Sequence, residues 1–287
     1  MQKFDNEAEF LELLSHFNFG EEVIEQFRQD FRKGLNGDID SLMIIAEFFH
    51  EAVMYQNAYT FYKYAAKYQH PEALYMLGNY AYEGLVEKES NRKAFLYYER
   101  AAELGHADAM NNLADMFLNG EGIGKDEKLA LYWFEKAAKE NVVEAMFTLG
   151  IMYEQGIGVP IDEEKAFNYY ESAALGGDLE GMYRMGTIYM TPLLKVSQNM
   201  DEAIKYFKMA ANDEHIDALY NLGYLYEKGI GVEPDASAAI NYYESAADFD
   251  DISSIQALIR IYSEGIIVER DDLEAQRWKR RLKFGQN

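Results

Sequence analysis

One period dominates this sequence. The stretches ALYMLGNYAYEG (73–84), AMNNLADMFLNG (109–120), AMFTLGIMYEQG (145–156), GMYRMGTIYM (181–190) and ALYNLGYLYEKG (218–229) superimpose. They place Gly78, Ala114, Gly150, Gly186 and Gly223 at one anchor position, with spacings of 36, 36, 36 and 37 residues. A weaker copy puts Ile259 a further 36 residues on, and a degenerate one puts Ala46 32 residues before Gly78. A second phrase keeps step: AFLYYERAA (94–102), ALYWFEKAA (130–138), AFNYYESAA (166–174), AIKYFKMAA (203–211) and AINYYESAA (239–247), preceded by AYTFYKYAA (58–66). Two phrases in register over about 240 residues restrict the chain to an array of stacked units, each covering its neighbour.

Both phrases have helical spacing. Ala218, Leu222, Leu225 and Tyr226 fall on one stripe of a first helix, and Ala239, Tyr242, Tyr243 and Ala246 on one stripe of a second. The small anchor residue is what close approach of the first helix to the second requires. Between them lie GEGIG (120–124), GIGVP (156–160), GIGV within 229–232 and GIIVE (265–269). A phosphate-binding glycine loop would follow a strand and open a helix. These segments instead close a helix, and the one in EKGIGVEPD (227–235) carries three acids, so they are turns in which the first glycine ends the helix left-handed.

A hairpin of 36 residues built as A-x-x-x-L-G-x-x-Y-x-x-G, a G-x-G-V turn and A-x-x-Y-Y-x-x-A-A resembles the Sel1-like repeat, a relative of the tetratricopeptide repeat, over roughly residues 38–283. The resemblance implies an all-α fold, a right-handed α/α solenoid of about six to seven hairpins, with the first (A) helices lining a concave surface. We expect an N-terminal helical cap over 1–37, the repeat array over 38–269 and a basic capping helix over 270–287. Three features depart from the family pattern: cysteine is absent, TPLLKVSQN (191–199) replaces the glycine turn of the fourth full repeat, and the last repeat lacks its double alanine.

Composition narrows the function. Without cysteine there is no disulfide, thiol catalysis or cysteine-bound metal. The acidic N-terminus lacks the basic and apolar regions of a signal peptide, and no stretch approaches the ~20 apolar residues of a membrane span. The expectation is a cytoplasmic protein, monomeric when free. Fifty acids against 27 bases give a formal charge of −23, which disfavours nucleic acid and anionic membranes and favours a basic partner. Residues 144–252 hold 20 of the acids and six bases, while 270–283 hold six bases and three acids.

Candidate chemistry is absorbed by the repeat. His70, His106 and His215 sit at equivalent positions, at least a repeat apart, so they cannot converge on a metal and read as turn residues packing between repeats. Asp40, Glu72, Asp108, Glu144, Glu180 and Asp217 occupy first turns, where they offset the helix dipole. The segment 248–254 lacks the glycine and closing glutamate of a calcium loop. No catalytic residue, cofactor or metal site is expected.

The resemblance to the tetratricopeptide class implies that the concave face presents the residues three before, one after and four after each anchor. These are Tyr75, Asn79 and Tyr82; Asn111, Asp115 and Leu118; Phe147, Ile151 and Glu154; Tyr183, Thr187 and Met190; Tyr220, Tyr224 and Glu227. Such a tyrosine- and amide-rich face suits binding of another protein. The family is known for adaptors and also for bacterial immunity proteins that neutralise secreted toxins. The expected function is therefore a non-enzymatic, acidic immunity protein that clamps a basic toxin, such as a nuclease. A signalling or assembly adaptor is the alternative.

Overall fold

The computed structural model describes residues 7–17 and 19–284; the side chain of Phe284 lies outside the described residues, as do the first six and last three positions of the expected caps. Sixteen α-helices and no strand occur among the described residues. They gather into two compact units, Met1–Val142 and Val143–Asn287.

The first unit holds α1 (Glu7–Leu14), α2 (Glu21–Leu35), α3 (Ile39–Glu51), α4 (Tyr55–Lys67), α5 (Pro71–Glu83), α6 (Asn91–Glu103), α7 (Ala107–Asn119) and α8 (Glu127–Lys139). From α3 onward these pair as hairpins, and each hairpin's second helix packs on the first helix of the next. Phe10 of α1 stacks on Phe31 of α2 with centroids 4.5 Å apart and meets Phe49 and Phe61 edge-on, so α1 and α2 close the apolar side of the α3–α4 hairpin. The second unit repeats the scheme with α9 (Val143–Gln155), α10 (Glu163–Leu175), α11 (Leu179–Met190), α12 (Met200–Asn212), α13 (Ile216–Lys228), α14 (Ala236–Asp248), α15 (Ile252–Glu264) and α16 (Asp272–Phe284). In the last hairpin α16 buries Ala275 and Trp278 against α15.

The turns follow from local chemistry. Gly229 ends α13 at φ +64°, a left-handed conformation that glycine adopts without a Cβ penalty, and the following N–H of Ile230 returns to Leu225 O at 3.0 Å. The second helices α6, α8, α10, α12 and α14 then open on a side-chain cap, Ser90, Asp126, Asp162, Asn199 or Asp235 accepting from backbone N–H groups of the first turn, whereas α4 opens on Met54 without one. The cap's own N–H reaches back to the preceding helix, as Asp162 N does to Tyr153 O at 2.9 Å. The glycine-free segment 191–199 keeps this closure, Asn199 N to Tyr189 O at 2.9 Å, with Leu194 and Lys195 at positive φ.

The three turn histidines have a defined task. Nδ1 of His106 accepts the N–H of Ala109 at 3.2 Å, making it the N-cap of α7, while Nε2 faces Glu72 Oε2 of α5 at 2.8 Å. That pattern assigns the ring proton to Nε2. His70 caps α5 against Asp40 and His215 caps α13 against Glu180 in the same way, each with Nε2 3.5 Å from the carboxylate. The first-turn acids thus do more than offset the helix dipole: three of them link one repeat to the next.

Candidate binding face on the first helices

The anchor glycines set how this face is built. An ideal Cβ at Gly150 would lie 2.6 Å from Cδ1 and Cε1 of Tyr170, and the same conflict arises at Gly78 with Tyr98, Gly186 with Phe207 and Gly223 with Tyr243. Absence of a side chain lets the aromatic ring of the second helix press against the first helix. The ring then lies beside the expected residue three before the anchor, with centroids 6.0 Å apart for Tyr75 and Tyr98, 5.6 Å for Phe147 and Tyr170, 5.8 Å for Tyr183 and Phe207 and 5.7 Å for Tyr220 and Tyr243.

In the first unit, Tyr75 and Asn79 of α5 and Asn111, Asp115 and Leu118 of α7 are half-buried, and Tyr82 is exposed. The Tyr75 ring stacks on His106, with centroids 4.4 Å apart. Asn79 Oδ1 accepts the Tyr98 phenol at 2.7 Å, and Tyr82 donates to Glu121 Oε2 at 3.1 Å. Asp115 accepts from the Asn111 amide at 3.4 Å. Burial, and then the neighbouring Glu121, push the Asp115 carboxyl up to about 6. Tyr75, Asn79, Tyr82 and Asp115 come together as walls of one cavity of about 440 Å³.

In the second unit, Phe147, Ile151 and Glu154 of α9 and Tyr183, Thr187 and Met190 of α11 are half-buried, as is Tyr220 of α13; Tyr224 is exposed. Tyr183 stacks on His215 at 4.4 Å, and Thr187 Oγ1 donates to Arg184 O at 2.7 Å. Glu154 accepts the Tyr170 phenol at 2.6 Å and pairs with Arg184.

The expectation that Glu227 is presented on the surface is corrected. Its side chain is fully buried, held by Arg260 at 2.8 and 2.7 Å, Lys228 at 2.6 Å and the Tyr243 phenol at 3.0 Å. Burial alone would raise its carboxyl, but hydrogen bonds from Arg260, Lys228 and Tyr243 outweigh that and hold it below the usual range. The cause is Arg260, which comes from the next first helix and seals the acid in. A buried, fully partnered carboxylate does not steer an approaching partner.

Sequence reasoning overlooked the second-helix phenols and Arg184. Their signal is nonetheless present: at Tyr170 and Tyr243 the position four after the anchor is Glu154 or Glu227, whereas at Tyr98 that position is Tyr82 and the phenol is taken by Asn79, one after the anchor. Where the second phrase carries phenylalanine (Phe134, Phe207), the position four after the anchor is Leu118 or Met190. A buried hydroxyl demands a partner and a buried ring does not.

Among the described residues, no group of three or more His, Cys, Asp or Glu side chains is arranged to hold a metal, and no helix is long and apolar enough to cross a membrane.

Comparison with known proteins agrees with this build. Residues 71–106, 107–142, 143–178, 179–215, 216–248 and 257–280 match the Sel1 repeat. A Sel1 repeat protein from Oxalobacter formigenes is 30% identical with a TM-score of 0.75, covering 85% of this chain and 99% of its own. A protective antigen of uropathogenic Escherichia coli with an SLR fold shares the fold at 22% identity and a TM-score of 0.81, over 98% of this chain and 62% of its own. An immunity protein from Pseudomonas aeruginosa, 22% identical over 75% of this chain and 81% of its own, superimposes at a TM-score of 0.44, too loosely to carry function over. Among curated proteins no relative matches. The hairpin α3–α4, outside the matched segments, folds on the same plan as those inside. The repeat phrases, the hairpin geometry and the matches coincide, and the chain belongs to the Sel1 repeat family of helical protein-interaction scaffolds.

Proposed function

We propose that the protein is an acidic binding scaffold whose first-helix face captures a basic protein, and that the partner is a toxin it neutralises. The observation that carries this reading is the construction of that face. Tyr75 and Tyr183 are held by stacking on the cap histidines His106 and His215, and Tyr82 and Tyr224 stand exposed nearby on α5 and α13. Fixed tyrosines offer large contact area at low ordering cost, which is how protein-binding hot spots are built. A formal charge of −23 adds attraction for a basic partner and speeds its approach.

The partner is sought by capture from the source cell with and without the product of the neighbouring gene. It is expected to be basic, to bind more slowly as salt rises, and to lose its toxic activity in the complex. Tyr82→Ala and Tyr224→Ala are expected to raise its dissociation rate. Failure to capture any protein, or capture of an acidic protein whose association ignores salt, would overturn the reading.

A further inference from the structure

The space above the second-helix tyrosine is filled differently from repeat to repeat. Above Tyr170 lies the guanidinium of Arg184, 5.5 Å from the ring centroid and paired with Glu154. At the corresponding place in the repeat of Gly223, Arg260 pairs with Glu227, which accepts the Tyr243 phenol. Arg184 stands two residues before its anchor and Arg260 one residue after its own. In the repeat of Gly78 the tyrosine is Tyr98, and the residues at those two positions of the following helix are Asn112 and Asp115. Neither is a cation, and here the fold leaves the cavity of about 440 Å³.

The cavity's walls match what the two arginines meet elsewhere. Tyr75, Tyr82 and Tyr98 supply aromatic surface, and Asp115, Glu121 and Glu83 supply carboxylates. Among the described residues none of these three acids is in an ion pair, whereas in the cavity between the 191–199 loop and α10, Lys195 already sits on Glu163 at 2.7 Å. Asn111 Oδ1, beside Asp115, is buried without a hydrogen-bond partner. A partly desolvated carboxylate without a cation is costly, and its raised titration reports that cost.

We infer that this cavity between α5 and α7 receives the guanidinium of an arginine side chain supplied by the protein partner. The inference deepens the protein-binding reading above and rests on it. Guanidinium suits the site better than ammonium, because it is planar, weakly hydrated, permanently charged and stacks on aromatic faces while donating to carboxylates. The partner thereby supplies to this repeat what Arg184 and Arg260 supply to two others from within the chain.

The probe is an acetylated, amidated Gly-Ser-Arg-Ser-Gly peptide, titrated into the full chain at low salt and pH 7.5 and followed by amide NMR shifts. The control peptide carries citrulline, the same shape without the charge. Saturable shifts at Tyr82, Asn112 and Asp115 are expected, with citrulline at least about tenfold weaker and Asp115→Asn weakening binding by a similar factor, as when a partly desolvated charge pair loses one member. Asp115→Arg, placing a guanidinium where Arg260 sits in its own repeat, is expected to abolish binding. Should that variant not fold, Glu121→Gln serves with Asp115→Asn. Equal binding of both peptides, no saturation by about 10 mM, or unchanged binding to the variants would overturn the inference. A captured partner that binds Asp115→Arg as tightly as wild type overturns the arginine pocket and leaves the protein-binding reading intact. Peptide saturation with no capturable partner does the reverse.

Discussion

The phenol of Tyr243 donates a 3.0 Å hydrogen bond to Oε2 of Glu227, sixteen residues earlier on the facing helix. Tyr170 repeats the bond with Glu154 at 2.6 Å. Phe134 and Phe207 stand at the same place in their phrases, and the position of that glutamate is Leu118 or Met190 instead. The repeats therefore differ in how the ring on the anchor is satisfied: Tyr170 and Tyr243 by a glutamate paired with arginine, Tyr98 by Asn79, and Phe134 and Phe207 with no hydroxyl to satisfy.

That difference can be tested by transplanting one solution into another repeat. Tyr243→Phe alone is expected to cost about 1 kcal/mol, a lost hydrogen bond. Glu227→Met alone leaves the buried Tyr243 hydroxyl and Arg260 without their partner and should cost about 2–3 kcal/mol. The double variant recreates the Met190–Phe207 arrangement and should lose less than the sum by about 1 kcal/mol. Strict additivity in denaturant unfolding would show that the pair is not coupled.

The glycine anchors pressed by a second-helix ring should not accept a large side chain. Tyr170 is buried and tied to Glu154, so its ring cannot retreat from a Cβ that would lie 2.6 Å away. Gly150→Leu is expected to destabilise by about 1–3 kcal/mol or more through overpacking. A melting temperature equal to wild type would refute the close-approach argument.

Asp115 should make stability fall as pH rises. Its folded-state pKa of about 6 lies above the ordinary carboxylate value, so the folded state binds the proton more tightly. The charged form penalises folding above pH 6, and that penalty disappears as pH falls toward 4. Glu121 and Glu83 are the acids sharing the cavity. Asp115→Asn is thus expected to stabilise by up to about 2–3 kcal/mol at pH 7.5 and to match wild type near pH 4. A difference that does not change with pH, measured by urea unfolding at both values, would contradict the assignment.

The turns from second to first helices offer a gain. Gln69, Asn141, Glu214 and Asp250 adopt φ of 61°, 65°, 63° and 59° where Gly105 and Gly177 stand in the equivalent turns. Left-handed backbone costs a residue with a Cβ roughly 1–2 kcal/mol, partly offset by the greater unfolded freedom of glycine. Glu214→Gly is expected to stabilise by about 0.5–1 kcal/mol, seen as a higher melting temperature; a lower one would count against it.

The sequence by itself determined the helices, their phase, the glycine turns and the small anchors. Each of these depends on groups within one hairpin, where periodicity and turn chemistry act locally: Gly229 must end α13 left-handed, and Gly223 must lie against an aromatic ring nearby in the chain. What only the tertiary structure decided is which side chain of the following repeat closes each site. The resemblance to the tetratricopeptide class placed Glu154 and Glu227 on the same face as Tyr82 and Tyr224, and the two tyrosines are exposed. Glu227 is instead buried because Arg260, 33 residues on, folds over it. Asp115 occupies the position of Arg260 in its own repeat and leaves an open cavity. Helical periodicity assigns a residue to a face, but its partner comes from a helix some thirty residues away. Whether that partner's guanidinium arrives depends on backbone placement to within a hydrogen bond's length, which no local pattern encodes.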